Sequence, residues 1–136
     1  MKIGVLLKQV PDTETKIKLS DNKTGIIEDG VKYVVNPYDE YALEEALKLK
    51  ERTGGETVVI SYGKDRVHEA IRTALAMGFD RGIHIKTDSS LFSGNFLTAK
   101  LLSKACEMES FDIIFTGKQA VDDDASQVTQ IVSEML

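Results

Sequence analysis

Three consecutive carboxylates, Asp122, Asp123 and Asp124, follow Lys118 and Gln119 inside the stretch Phe111–Gln127, FDIIFTGKQAVDDDASQ. Clustered aspartates offer hard oxygen ligands to a divalent cation. A simpler role competes: Asp124 with Gln127 three residues on resembles a capping box, and acidic side chains suit the positive end of a helix dipole. Capping and loop ordering are preferred here over metal. The triad also disfavours a triphosphate lying directly on it, whereas a monophosphate held by backbone N–H groups and neutral side chains is easier to accommodate. His68 and His84 stand without a Cys, Asp or second His at ligand spacing, so no metal site is expected at either. Cys106, beside Ala105 on a helical pattern, is expected to be buried as a small hydrophobe rather than reactive. No serine or cysteine occupies a nucleophile elbow. Neither GxGxxG after the first strand nor GxxxxGK[ST] is present.

These residues need elements to position them. Phe111-Asp112-Ile113-Ile114-Phe115 is a short apolar run ended by Thr116-Gly117, the pattern of a strand buried on both faces of a parallel sheet. A strand that turns at glycine into a helix N-terminus presents free N–H groups, and ligands of open α/β sheets sit beyond the carboxyl ends of strands. Upstream, Asn36-Pro37-Tyr38-Asp39 reads as a helix start: Asn36 can cap, Pro37 suits the first helical position, and Asp39 and Glu40 favour the dipole. Three strand ends, Leu6–Gln9, Ser61-Tyr62-Gly63 and Thr116-Gly117, could converge with the Asn36 cap on one crevice suited to an adenine nucleotide.

Along the chain, Ile3–Leu7 is the first central strand, ended by Lys8-Gln9-Val10-Pro11-Asp12 because proline cannot donate to a ladder. Residues 13–35 read as an excursion of short antiparallel strands, with Asp29-Gly30 as a hairpin turn between Ile26-Ile27 and Val31–Val35. A helix from Pro37 stops at Gly54-Gly55; Thr57–Gly63 is a buried strand; Asp65–Met77 is a helix stopped by Gly78. Gly82–Ile85 is a short strand, Ser89–Asn95 a polar loop, Phe96–Met108 a helix, and a last helix starts near Asp124. The order implies an α/β fold, a doubly wound parallel sheet with a small antiparallel hairpin excursion after the first strand. Residues 1–136 are expected to form a single nucleotide-binding domain whose last helix is cut at Leu136, as in the front portion of a longer chain.

With 136 residues, 42% hydrophobic and 29% charged, the chain has the composition of a globular domain. A net charge of −5 gives no electrostatic case for nucleic acid or an anionic membrane. One cysteine excludes an internal disulfide, and neither a signal peptide nor a membrane-length apolar run is visible. A soluble, intracellular protein is expected.

Three ordered motifs carry a family resemblance: Val31–Asn36 running into Pro37-Tyr38-Asp39-Glu40-Tyr41-Ala42-Leu43-Glu44-Glu45-Ala46, then Ile71-Arg72-Thr73-Ala74-Leu75-Ala76-Met77-Gly78, then Gly117-Lys118-Gln119-Ala120-Val121-Asp122-Asp123-Asp124 through Gln127. With Lys8–Asp12 near the start, they make the whole chain resemble the beta subunit of electron-transfer flavoprotein. The resemblance implies an adenine-nucleotide alpha-hydrolase-like fold and an electron-carrier subunit rather than an enzyme. It implies one structural AMP and an alpha subunit that holds most of the catalytic FAD. Electrons would pass from acyl-CoA-type dehydrogenases to a membrane quinone oxidoreductase, in the cytoplasm or, in a eukaryote, the mitochondrial matrix. The family's AMP contacts fall here on Leu6, on Asn36, Pro37, Tyr38 and Asp39, on Tyr62, and on Ile114, Phe115, Thr116, Gly117, Lys118, Gln119, Ala120, Val121, Asp122, Asp123, Asp124 and Ala125. Leu6 and Tyr62 differ from the residues of relatives, so contacts there run through backbone.

Bifurcating relatives hold a second FAD in place of AMP and usually read Asp-Gly-Asp where this chain has Asp122-Asp123-Asp124. Asp123 adds a side chain and a charge where glycine would let a bulkier ligand approach, which favours AMP. The family's dehydrogenase-docking loop lies beyond the residues present, so no residue is assigned to docking. Two other classes compete: a stand-alone ATP-binding stress-type module, opposed by the aspartate triad, and an ATP-dependent enzyme, opposed by the missing glycine-rich phosphate loop.

Overall fold

The computed structural model describes residues 1–88 and 94–136. Ten elements follow in order: β1 (Lys2–Leu6), β2 (Gln9–Pro11), β3 (Tyr33–Val35), α1 (Pro37–Thr53), β4 (Glu56–Gly63), α2 (Val67–Met77), β5 (Arg81–Lys86), α3 (Asn95–Glu109), β6 (Ile113–Thr116) and α4 (Val128–Met135). Four strands form a parallel sheet in the order β5-β4-β1-β6, and β2 and β3 form a separate antiparallel pair. The expected α/β class and doubly wound sheet are what the chain adopts.

Alternation along β1 builds the two layers. Ile3, Val5 and Leu7 join Ala42, Leu43 and Ala46 of α1 and Val67, Ala70, Ile71 and Ala74 of α2. Leu6 instead joins Ile60, Ala99, Leu102 and Cys106 of α3, and Val132 of α4. Successive strand side chains point to opposite faces, so one strand feeds both cores. The central strands are apolar throughout for this reason: Val58, Val59 and Ile60 are completely buried. Cys106 lies in the second core as expected, and burial pushes its thiol up to about 11.

Several local expectations are corrected. The run at Phe111–Phe115 is only partly buried: among the described residues β6 is an edge of the sheet, and Ile113 is 37% exposed, although Phe115 packs on one core and Ile114 on the other. An apolar run reports average burial, not strand order, so an edge strand whose two faces are partly covered looks the same. β1 does end before Lys8, but Gln9–Pro11 then form a strand of their own, β2, in the separate antiparallel pair. Asn36 N–H donates to the Lys8 carbonyl and Asp12 N–H to that of Lys32, so the hydrogen-bonded pairs flank Pro11, which faces Tyr33 at a position needing no N–H. Asp29-Gly30 does form a turn, closed by the Val31 N–H to the Glu28 carbonyl, but it joins two different pairings. Ile26 bridges Leu19 before it, and β3 pairs with β2 after it. Helix α2 starts two residues later than Asp65, and α4 starts at Val128 instead of near Asp124. Asp124 and Ser126 adopt left-handed φ values of 48° and 51°, which a right-handed helix cannot contain. Most of the expected Ser89–Asn95 loop lies outside the described residues, and Asn95 itself opens α3.

Candidate functional site

The two faces of the sheet diverge at the carboxyl ends of β1 and β6. The chain leaving β1 reaches α1 on one face; the chain leaving β6 reaches α4 on the other. Neighbouring strands whose connections depart to opposite faces leave a crevice between them, the topological switch point of an open α/β sheet. Asn36, Asp39 and the loop from Gly117 meet there.

Asp39, in the first turn of α1, lies at the centre. Its carboxylate accepts hydrogen bonds from the Lys8 N–H at 2.7 Å and the Gly117 N–H at 3.1 Å, tying together the chain just past β1 and the chain just past β6. Asp39 is 6% exposed, and burial pushes its carboxyl up to about 6 against the pull of those N–H groups and of Asn36. The contact is close enough to require glycine: a Cβ on Gly117 would fall 2.2 Å from Asp39 Oδ1 and 2.6 Å from the Tyr38 carbonyl carbon. Beside it, Asn36 is 1% exposed. Its side chain makes no capping bond to α1, contrary to expectation. Asn36 Nδ2 donates to the Gln119 carbonyl at 2.9 Å, and Oδ1 accepts from the Val121 N–H at 3.1 Å. The longer-range bonds win because the 119–121 backbone, lying across the helix start, has no strand or helix of its own to satisfy it.

The aspartates divide their roles. Lys8 Nζ bonds Asp122 at 2.7 Å and Asp123 at 3.2 Å, so one cation from β1's exit offsets two of the three carboxylates. Asp123 Oδ1 also accepts from the Ala125 N–H, and Asp124 Oδ1 accepts from Gln119 Nε2. Burial is the largest single influence on Asp123 and raises it, but the Ala125 N–H and Lys8 together hold its carboxyl below the usual range. Loop ordering is therefore realised, while the expected capping box is not: the residue before α4 is Gln127, and no side chain caps the helix. Three non-glycine residues of this loop, Lys118, Asp124 and Ser126, hold positive φ. Such backbone costs on the order of 1 kcal/mol per residue and persists where surrounding contacts over-determine it.

Tyr38 is 41% exposed and Pro37 is exposed on the same rim, while Ala120 is buried beneath the loop. Leu6, Tyr62 and Ile114 form a second group, packed together on the α3/α4 face of the strand ends. Phe115 turns to the opposite core, and Thr116 Oγ1 accepts a long hydrogen bond from the Lys118 N–H. Asn36–Asp39 and the 117–125 loop are thus in direct contact, and Leu6, Tyr62 and Ile114 border the same ends from the other layer. Lys8 was expected at the crevice only as part of the strand end Leu6–Gln9; a lysine past a strand reads as ordinary solvent-facing charge, and only the fold reveals which carboxylates it meets.

Comparison with known proteins gives the site its context. The electron transfer flavoprotein domain matches residues 23–136. The chain belongs to the electron transfer flavoprotein family. Among curated relatives, electron transfer flavoprotein subunit beta of Mus musculus is 42% identical over 135 residues, covering 97% of this chain and 53% of its own length. The proteins of the same description from Syntrophomonas wolfei and Thermoanaerobacterium thermosaccharolyticum are 45% and 44% identical across the whole chain, which covers 53% and 52% of theirs. The chain spans about half the length of the curated relatives it matches. Within the electron transfer flavoprotein family its similarity is thus to beta subunits, as the sequence motifs implied. Among the described residues no helix is long and apolar enough to cross a membrane.

A second cluster was also missed. His84 Nδ1 lies 2.8 Å from His68 Nε2, and an Asp65 carboxylate oxygen completes a group whose ligand-type atoms all lie within 4.8 Å. The expectation that neither histidine has a ligand-type neighbour is overturned, because β5 places His84 beside the turn between β4 and α2.

Proposed function

We propose that the crevice between β1 and β6 holds one AMP as a structural nucleotide, and that the protein is an electron-carrier subunit without catalytic chemistry of its own. The observation that carries this reading is the Asn36/Asp39 clasp, which fastens the 117–125 loop to the start of α1 in a chain of this family. The clasp supports a small nucleotide: it holds a loop with strained backbone at Lys118 and Asp124 against the start of α1, where Tyr38 is exposed. Asp123 already occupies, with its side chain bonded to Lys8 and Ala125, the place where a glycine would admit a bulkier flavin. Lys8 also reduces the charge a monophosphate would meet.

In this reading the protein pairs with an alpha subunit carrying FAD, which supplies the redox chemistry. The nucleotide-filled domain fixes the distance between that flavin and its partners. Acyl-CoA-type dehydrogenases donate the electrons and a membrane quinone oxidoreductase accepts them, in the cytoplasm or mitochondrial matrix; a beta-subunit relative from Arabidopsis thaliana is described as mitochondrial. The test is to denature the purified protein and identify the released small molecule by mass. AMP is the expected result. FAD would replace this proposal with a bifurcating subunit, and ATP would overturn the electron-carrier reading.

A further inference from the structure

We infer that Asp65, His68 and His84 form a surface site for one zinc-type divalent cation, separate from the nucleotide crevice. Three different pieces of structure meet in it. Asp65 lies in the turn leaving β4, His68 in the first turn of α2, and His84 in the middle of β5. His84 is paired in register with Ser61 of β4, which fixes its place beside the turn.

The geometry around His84 distinguishes a ligand from an incidental neighbour. Its Nε2 lies 2.8 Å from the Gly63 carbonyl, an acceptor only, so Nε2 carries the proton and Nδ1 presents a lone pair. Metal-bound histidines are commonly oriented in this way, by donating the second ring N–H to a backbone carbonyl. That lone pair faces His68 Nε2 at 2.8 Å. The two rings meet nearly edge to face, at 81° with centroids 4.5 Å apart, so their nitrogens converge instead of stacking. At present one proton between Nε2 and Nδ1 satisfies both; a cation would displace it.

Tetrahedral zinc with bonds of about 2.0–2.2 Å holds its ligand atoms roughly 3.3–3.6 Å apart. The histidine nitrogens therefore need to open by about half an ångström and the Asp65 oxygen to close in. Asp65 and His68 are both exposed and have room for that adjustment, while β5 and Gly63 hold His84 still. Lys86 currently places its ammonium 3.1 Å from Asp65 and 3.5 Å from Asp88. It is the competitor a metal must displace, and Asp88 gives it an alternative partner. Two imidazoles and one carboxylate suit zinc and its later first-row neighbours better than magnesium or calcium, which take oxygen ligands. Three protein ligands leave a fourth position for water or a group from another molecule.

The experiment uses purified protein stripped of metal with a chelator, then titrated with zinc chloride against a chromophoric competitor at neutral pH. One zinc per chain is expected. His84→Gln and His68→Gln should each weaken binding at least tenfold, and Lys86→Met should tighten it several-fold by removing the competing cation. Cobalt chloride should give the intense visible bands of a tetrahedral ion in the wild type and not in His84→Gln. Far-ultraviolet circular dichroism of every variant guards against misfolding, with His68→Gln, on the exposed face of α2, as the mildest change. No stoichiometric zinc in the wild type would overturn the inference and leave the two histidines as a shared-proton pair. Equal affinity in a folded His68→Gln variant would overturn it as well.

Discussion

Replacing Gly117 with alanine probes the contact on which the crevice depends. The added methyl would lie 2.2 Å from Asp39 Oδ1, 2.6 Å from the Tyr38 carbonyl carbon and 2.7 Å from the Asp39 nitrogen. Two of those three atoms are backbone of the first turn of α1, so no rotamer change relieves the clash; the 117–125 loop must move off the helix. Movement sacrifices the 3.1 Å bond from Gly117 N–H to the Asp39 carboxylate. A hydrogen bond to a charged or partly charged group contributes about 1.5–3 kcal/mol, and overpacking costs about 1–3 kcal/mol. Because one relaxation relieves part of both, a net loss of about 3 kcal/mol is expected, a fall of roughly 10 °C in melting temperature for a domain of this size. The assay is urea and thermal unfolding of nucleotide-free protein, since bound ligand adds stability by mass action. Gly25→Ala is the internal control: nothing lies within 4 Å of its Cβ position, so a change within about 0.5 kcal/mol is expected. A Gly117→Ala protein within about 1 kcal/mol of wild type would refute the reasoning that this loop is clamped onto α1.

Asn36→Ala removes two bonds to loop backbone rather than a helix cap, so it should cost about 2–4 kcal/mol in urea unfolding instead of the ~1 kcal/mol of a lost cap; a loss no larger than the cap's would refute the stapling role. Asp39 is held near 6 when folded against an ordinary value of 3.8, so the folded state binds its proton more tightly than the unfolded one. Its contribution is therefore fully present below pH 3.8 and is lost as pH rises through about 6, by about 3 kcal/mol at most. Stability measured across that window should fall with pH in the wild type and stay flatter in Asp39→Asn; parallel profiles would count against it. Asp80, lowered to about 2 by the Lys50 ammonium and its hydrogen bonds to Thr57, acts below this window and with opposite sign. Cys106, 2% exposed with its thiol near 11, should resist a thiol reagent in native protein and react fully in urea; rapid native labelling would show that α3 opens easily.

Most of the architecture was legible because it rests on short-range patterns. The β1 and β4 runs, the proline-led start of α1 and the glycine after α2 each announce themselves within a few residues. Element order then implied the doubly wound sheet, and the motifs at 36–39 and 117–124 marked the two segments that meet. Less legible was anything set by a distant partner. Asn36 looks like a cap because only its neighbours are visible in the sequence, yet its amide is used by backbone more than eighty positions away. Asp124 with Gln127 reads as a capping box until the left-handed turns at Asp124 and Ser126 delay the helix.

By itself, then, the order of residues determined which segments are strands and which are helices, and pointed to the two that meet beyond the strand ends, since backbone preference and apolar periodicity act locally. Tertiary structure alone decided that β6 is an edge, that Lys8 answers the aspartates, and that His84 finds His68. Those are contacts between strand ends and turns brought side by side by sheet order, and sheet order is a property of the whole packed chain.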